Sequence, residues 1–93
     1  MKLALITGGS RGIGREITRL FAAKGYKTIF LYNNSADAAK TLSEETGAIG
    51  IKCDVSDPES VESVCRELLD EHGCPDVLVN NAGVSHIGVF SEL

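Results

Sequence analysis

No apolar run in this 93-residue chain approaches the ~18 to 20 residues needed for a helical membrane span. The opening stretch Met1-Lys2-Leu3-Ala4-Leu5-Ile6 is also too short for a secretory leader and meets glycine instead of a small-residue cleavage site. A cytoplasmic protein is therefore expected. Cysteine is sparse and unpaired in pattern: Cys53, Cys65 and Cys74 are odd in number and contain no C-x-x-C, which excludes a disulfide framework and a zinc cluster. Cys53 and Cys65 sit among aliphatic residues, so they are expected as buried thiols. Neither His72 nor His86 has a partner at metal-ligand spacing. There is no repeat, linker or low-complexity tract. With only two prolines, 43% hydrophobic and 24% charged residues, the chain is expected to be one small globular unit and not a disordered tail or a fibre.

The net charge of -4 is unevenly distributed. Residues 1–27 carry six Lys or Arg against Glu16 alone, while residues 28–93 carry three against twelve acids. That polarity suits a localised anionic ligand near the start of the chain, and the acidic remainder argues against nucleic-acid binding.

Hydrophobic periodicity divides the chain into short strands alternating with longer helices. Leu3-Ala4-Leu5-Ile6 reads as a strand buried on both faces and ends at Thr7-Gly8-Gly9. Ile13, Ile17, Leu20 and Phe21 then follow at helical spacing, with Gly25 as a stop. Thr28 to Tyr32 is β-branched and aromatic and predicts a second strand. Ser35 can cap a helix that runs to about Thr46 and ends at Gly47. A third strand is expected over Ala48 to Cys53. Ser56-Asp57-Pro58-Glu59 has the form of a capping box for a third helix, whose apolar stripe is Val61, Val64, Cys65, Leu68 and Leu69. Asp76 to Val79 makes a fourth strand, broken by Asn80-Asn81-Ala82-Gly83. Strands separated by helices imply right-handed crossovers and a parallel α/β sheet.

Thr7-Gly8-Gly9-Ser10-Arg11-Gly12-Ile13-Gly14 lies between a buried strand and an amphipathic helix, where a glycine-rich loop can cradle a diphosphate on helix N–H groups. A tight turn without a ligand is the plainer alternative. A Walker A loop is excluded, because Gly14 is followed by Arg15 and Glu16 and not by Lys and Ser or Thr. The G-x-G-x-x-G fingerprint is excluded as well, since Ile17 stands where Gly or Ala would be required.

The remaining pattern, T-G-x-x-x-G-x-G, resembles the short-chain dehydrogenase/reductase family. Asp54-Val55 after the third strand, Asn80-Asn81-Ala82-Gly83 after the fourth and the lack of an acid directly after the second all fall where that family places them. The wording Gly9-Ser10-Arg11-Gly12-Ile13-Gly14 is most similar to the 3-oxoacyl-acyl-carrier-protein reductases. The resemblance implies a Rossmann-like doubly wound sheet of order 3-2-1-4, with residues 1–93 as the N-terminal dinucleotide-binding portion. It implies that Gly8, Ser10, Arg11, Gly12, Ile13 and Gly14 hold the pyrophosphate. Arg11, with the neutral Asn33, Asn34 and Ser35, implies NADP(H) in preference to NAD(H), and Asp37 is read as a helix-start acid. Asp54 and Val55 would meet the adenine, although a bare helix-entry Asp54 is the alternative. Asn81, Ala82 and Gly83 would lie against the ribose, while Asn80 ties the sheet to its loops.

The family's catalytic Tyr-x-x-x-Lys is not present: Tyr26 is followed at the fourth position by Phe30, and Tyr32 by Ala36. No catalytic residue is therefore transferred, and the catalytic portion is expected to lie outside these 93 residues. A free-standing nucleotide-binding or interaction module is the alternative. A homo-oligomer is also expected, by the family's habit and because the fourth strand, Val77 to Val79, would form an apolar sheet edge.

Overall fold

The computed structural model describes residues 1–9 and 12–81. Its elements alternate: β1 (Leu3–Thr7), α1 (Gly12–Ala23), β2 (Lys27–Tyr32), α2 (Ala36–Thr46), β3 (Ile49–Lys52), α3 (Pro58–His72) and β4 (Val77–Asn80). The four strands form one parallel sheet in the order β3-β2-β1-β4, as the family resemblance implies. The order reverses at β1. From there the chain moves outward to β2 and β3, then crosses back to the far side of β1 at β4. All four carboxyl ends, and the loops that leave them, therefore lie along one edge.

Alternation along the strands sorts their side chains into two layers. Leu3 and Leu5 of β1 and Ile29 and Leu31 of β2 face α3, where they pack with Cys53, Val61, Cys65 and Leu68. Ala4, Ile6 and Phe30 face the other way and pack with Ala39 and Leu42 of α2 and with Ile17 and Phe21 of α1. Each fully buried Leu, Ile or Phe contributes roughly 1.5–3 kcal/mol relative to exposure. β1 is buried along its whole length, so it carries apolar residues on both faces and no charge.

Phe30 sets a local rule on the α1 and α2 face. It stands opposite Gly50 in register, and a Cβ on Gly50 would lie 2.7 Å from its Cζ. The ring thus occupies the space that a side chain on β3 would need. Asp76 joins the start of β4 to β1: its carboxylate accepts the Leu3 N–H at 2.8 Å, and its own N–H donates to the Leu3 carbonyl at 2.8 Å.

Two helix starts differ from the sequence expectation. Ser35 does occupy the N-cap position of α2, but its side chain makes no capping bond. At α3 the N-cap is Asp57, whose carboxylate accepts from Glu59 N at 3.1 Å, with Pro58 as the first helical residue. Ser56 stands one residue before the cap position, and its hydroxyl donates to Asp54 Oδ1 at 2.6 Å. The apolar stripe of α1 is also displaced. Ile17 and Phe21 pack on the sheet, but Ile13 is 71% exposed and Leu20 54% exposed, while Gly14 and Thr18 are buried.

The expectation for the cysteines holds: Cys53 and Cys65 are buried, and Cys74 is exposed. Burial, with Cys53 nearby as a lesser cause, pushes the Cys65 thiol up to about 11 from an ordinary 9.0. Burial raises Cys53 as well, against the opposing hydrogen bond from Ser60. A thiol pKa raised by folding contributes stability that is fully present below pH 9 and is lost as the pH climbs toward 11. Alkylation under native conditions near pH 8 is expected to label Cys74 alone, with Cys53 and Cys65 reacting only in denaturant. Urea titrations should show stability falling between pH 9 and 11, and the fall should be shallower in Cys65→Val.

Candidate functional site

The site begins where β1 ends. Gly8 has φ 64° and Gly12 has φ 56°, a left-handed conformation that costs a residue with a Cβ roughly 1–2 kcal/mol. Gly8 directly follows β1 and Gly12 opens α1. Gly14, one turn into the helix, faces back onto Gly8. A Cβ there would lie 2.0 Å from the Gly8 carbonyl oxygen and 2.7 Å from Asn81 Nδ2. Only bare backbone allows this approach.

The loop is fastened from both neighbouring strands. The Asn81 side-chain amide, just past β4, donates to Gly8 O at 3.2 Å. Gly9 N–H donates to Leu31 O of β2 at 3.2 Å. One residue earlier, the buried Thr7 hydroxyl lies 3.0 Å from Asn80 Oδ1 and 3.4 Å from Val79 O, both on β4. Asn80 therefore ties β4 to β1. Asn81 reaches the glycine loop itself.

The closeness of Gly14 to Gly8 also explains the displaced stripe of α1. With residue 14 turned onto the loop, residues 18 and 21 fall on the same side of the helix, whereas 13 and 20 swing about 100–120° away. The i, i+4 pattern of Ile13, Ile17, Leu20 and Phe21 predicts a stripe centred nearer Ile17. Packing at Gly14 rotates it.

The remaining expected site residues line the same edge. Asn33 and Asn34 are exposed in the turn after β2, and Ser35 leads into α2. Asp37 lies in the first turn of α2. Asp54 and Val55 lie in the turn between β3 and α3. Both the Ser56 hydroxyl, at 2.6 Å, and its N–H, at 3.0 Å, donate to Asp54 Oδ1, and these bonds hold the carboxyl below the usual carboxylate range. Asp54 is thus ionised at neutral pH, with one oxygen committed to the turn. Ser10, Arg11, Ala82 and Gly83 lie outside the described residues.

These groups can receive a dinucleotide. The Gly8 carbonyl is occupied by Asn81, and the first turn of α1 holds no acidic residue, so neither repels a phosphate brought to the helix start. The start of a helix leaves N–H groups without intrahelical partners, together with a positive dipole end. Among the described residues, none but its chain neighbours and its own helix backbone lies within 4 Å of the place where a Gly12 side chain would be. Among the described residues no cluster of His, Cys, Asp or Glu could hold a metal, and no helix is long and apolar enough to cross a membrane. Thr18, whose hydroxyl reaches the loop, carried no sequence signal beyond being a lone polar residue near the apolar stripe.

A parallel sheet whose glycine loop sits at the point where strand order reverses defines the nucleotide-binding class of α/β folds. Within that class, the chain belongs to the short-chain dehydrogenase family, whose model matches residues 2–93. It is 47% identical over 91 residues to the cyclic-di-GMP-binding biofilm dispersal mediator protein of Escherichia coli (strain K12), covering 98% of this chain and 35% of that protein. It is 45% identical over 94 residues to the 3-oxoacyl-[acyl-carrier-protein] reductase FabG of the same organism, covering 99% and 38%. A crystal structure of BdcA in complex with NADPH superposes with a TM-score of 0.79 at 46% identity, covering 89% of this chain and 32% of that one. The chain thus spans 32% to 38% of these relatives' length.

The two glycines at the start of α1 should respond differently to alanine. Gly14→Ala, although it adds a better helix former, is expected to cost at least about 3 kcal/mol, because its Cβ meets backbone. Gly12→Ala should cost about 1 kcal/mol, from backbone conformation alone. Urea denaturation of both variants measures the difference.

Proposed function

We propose that this chain forms the NADP(H)-binding portion of a reductase similar to the 3-oxoacyl-acyl-carrier-protein reductases, in which bound NADPH supplies hydride to a carbonyl. The observation that carries this reading is the glycine loop packed on Gly14 and held by Asn81, next to an acid-free helix start. A structural relative at 46% identity holds NADPH. In this reading Gly8, Ser10, Arg11, Gly12, Ile13 and Gly14 surround the pyrophosphate. Asn33, Asn34 and Ser35 accept the 2′-phosphate side, where a carboxylate would repel it. The free oxygen of Asp54 and the Val55 backbone serve the adenine, while Asn81, Ala82 and Gly83 pack against ribose. Three free cysteines suit the reducing cytoplasm.

A second reading, a nucleotide-binding module without turnover, is favoured by one observation: the relative at 47% identity is named as a cyclic-di-GMP-binding protein. Fluorescence titration separates the two ligand classes. NADPH is expected to bind at least about tenfold more tightly than NADH, and Arg11→Ala should shrink that ratio toward one by removing a phosphate partner. Equal affinities for the two cofactors in the native chain would overturn the NADP(H) assignment. Displacement of NADPH by cyclic-di-GMP would favour the second reading.

Self-association belongs to the same proposal. Among the described residues β4 pairs only with β1, and Leu78 is 41% exposed on it. Light scattering is expected to give a mass above that of one chain, and Leu78→Lys should shift it downward.

A further inference from the structure

Thr18 lies inside α1, is fully buried, and is not part of the glycine motif. Its hydroxyl is 2.8 Å from Gly14 O and 3.2 Å from Gly9 O. The first contact is the back-bond that threonine commonly makes to the carbonyl four residues earlier. The second leaves the helix and reaches the loop. One proton serves both carbonyls in a three-centre bond.

That contact completes the fixing of Gly9. Its N–H is held by Leu31 O, and its carbonyl by Thr18. Its Cα is wedged so tightly that a Cβ would lie 2.5 Å from Phe30 Cβ and 2.8 Å from Thr18 Oγ1. Both polar backbone groups of Gly9 are therefore held by protein partners. The Gly8 carbonyl is likewise occupied, by Asn81. Two successive carbonyl oxygens of an anion-binding loop are thus bound to protein donors and turned away from a ligand.

We propose that Thr18 is a positioning residue for the cofactor loop: its hydroxyl holds the Gly9 carbonyl inward, so that the loop offers N–H groups and not an oxygen to the diphosphate. This rests on the NADP(H) reading above. Valine would fill the same volume without a donor, leaving the Gly9 oxygen unpaired in the core or turned outward toward the phosphates. Serine would keep the donor.

The test is NADPH titration of the native chain, Thr18→Val and Thr18→Ser, with a thermal melt of each. Thr18→Val is expected to weaken NADPH about tenfold, and Thr18→Ser to stay within about twofold of native. Hydrogen exchange at Gly9 N–H should quicken in Thr18→Val, while the β1 amides of Leu5 and Ile6 remain protected. If the valine variant does not fold, Thr18→Ala removes the same donor and puts the same question. Native binding with unchanged affinity in the valine or alanine variant, even at a lowered melting temperature, would overturn the positioning role and leave the cofactor reading standing. Failure of the native chain to bind NADPH would overturn both.

Discussion

A single carbon added at residue 14 would lie 2.0 Å from the Gly8 carbonyl oxygen, so the start of α1 can meet the end of β1 only as bare backbone. Much of the site follows from this approach. It sets the rotation of α1, brings Thr18 beneath the loop and leaves Ile13 and Leu20 exposed. It also places the helix start, with its unpaired N–H groups, over the carboxyl end of the central strand. Asn81 closes the arrangement from β4 by donating to the same Gly8 oxygen. The loop's own glycines permit its shape, and its neighbours hold it there.

The sheet provides the rigidity this arrangement needs. β1 is buried on both faces between two apolar layers, and its ends are tied to β4 by Asp76 at one end and by Thr7 with Asn80 at the other. Thr7 and Asn80 are adjacent in register, which lets a short hydroxyl-to-amide bond join two strands far apart in sequence. The polar residues at the carboxyl edge thus do two kinds of work. Thr7, Asn80 and Ser56 secure the backbone, whereas Asn33, Asn34 and the second oxygen of Asp54 are the groups that the proposed NADP(H) reading gives to the ligand.

The family relationship and the extent of the chain carry different weight. The match over residues 2–93 covers the portion with the glycine loop, Asp54 and Asn81. The curated relatives are more than twice as long, and one of them is named as a reductase, the other as a cyclic-di-GMP-binding protein. The same cofactor-type half-sheet therefore sits in proteins named for different tasks.

Element order, the parallel sheet and the location of the loop were legible because they depend on local pattern: apolar runs for buried strands, a 3.6-residue period for helices, and glycine where φ turns positive. Less legible were features decided by which of several possible partners a residue takes in the folded chain. Ser56 has the spacing of a helix cap, yet Asp54 captures it and Asp57 caps instead. Ile13 and Leu20 fit an apolar stripe, yet Gly14 turns them outward. Gly50 reads as an ordinary strand weakness until Phe30 is found in its place. By itself the sequence determined which residues could approach closely, since small side chains and glycines are local facts. Which groups they approach was decided by the tertiary structure, because Asn81 reaches Gly8 only with β4 lying beside β1.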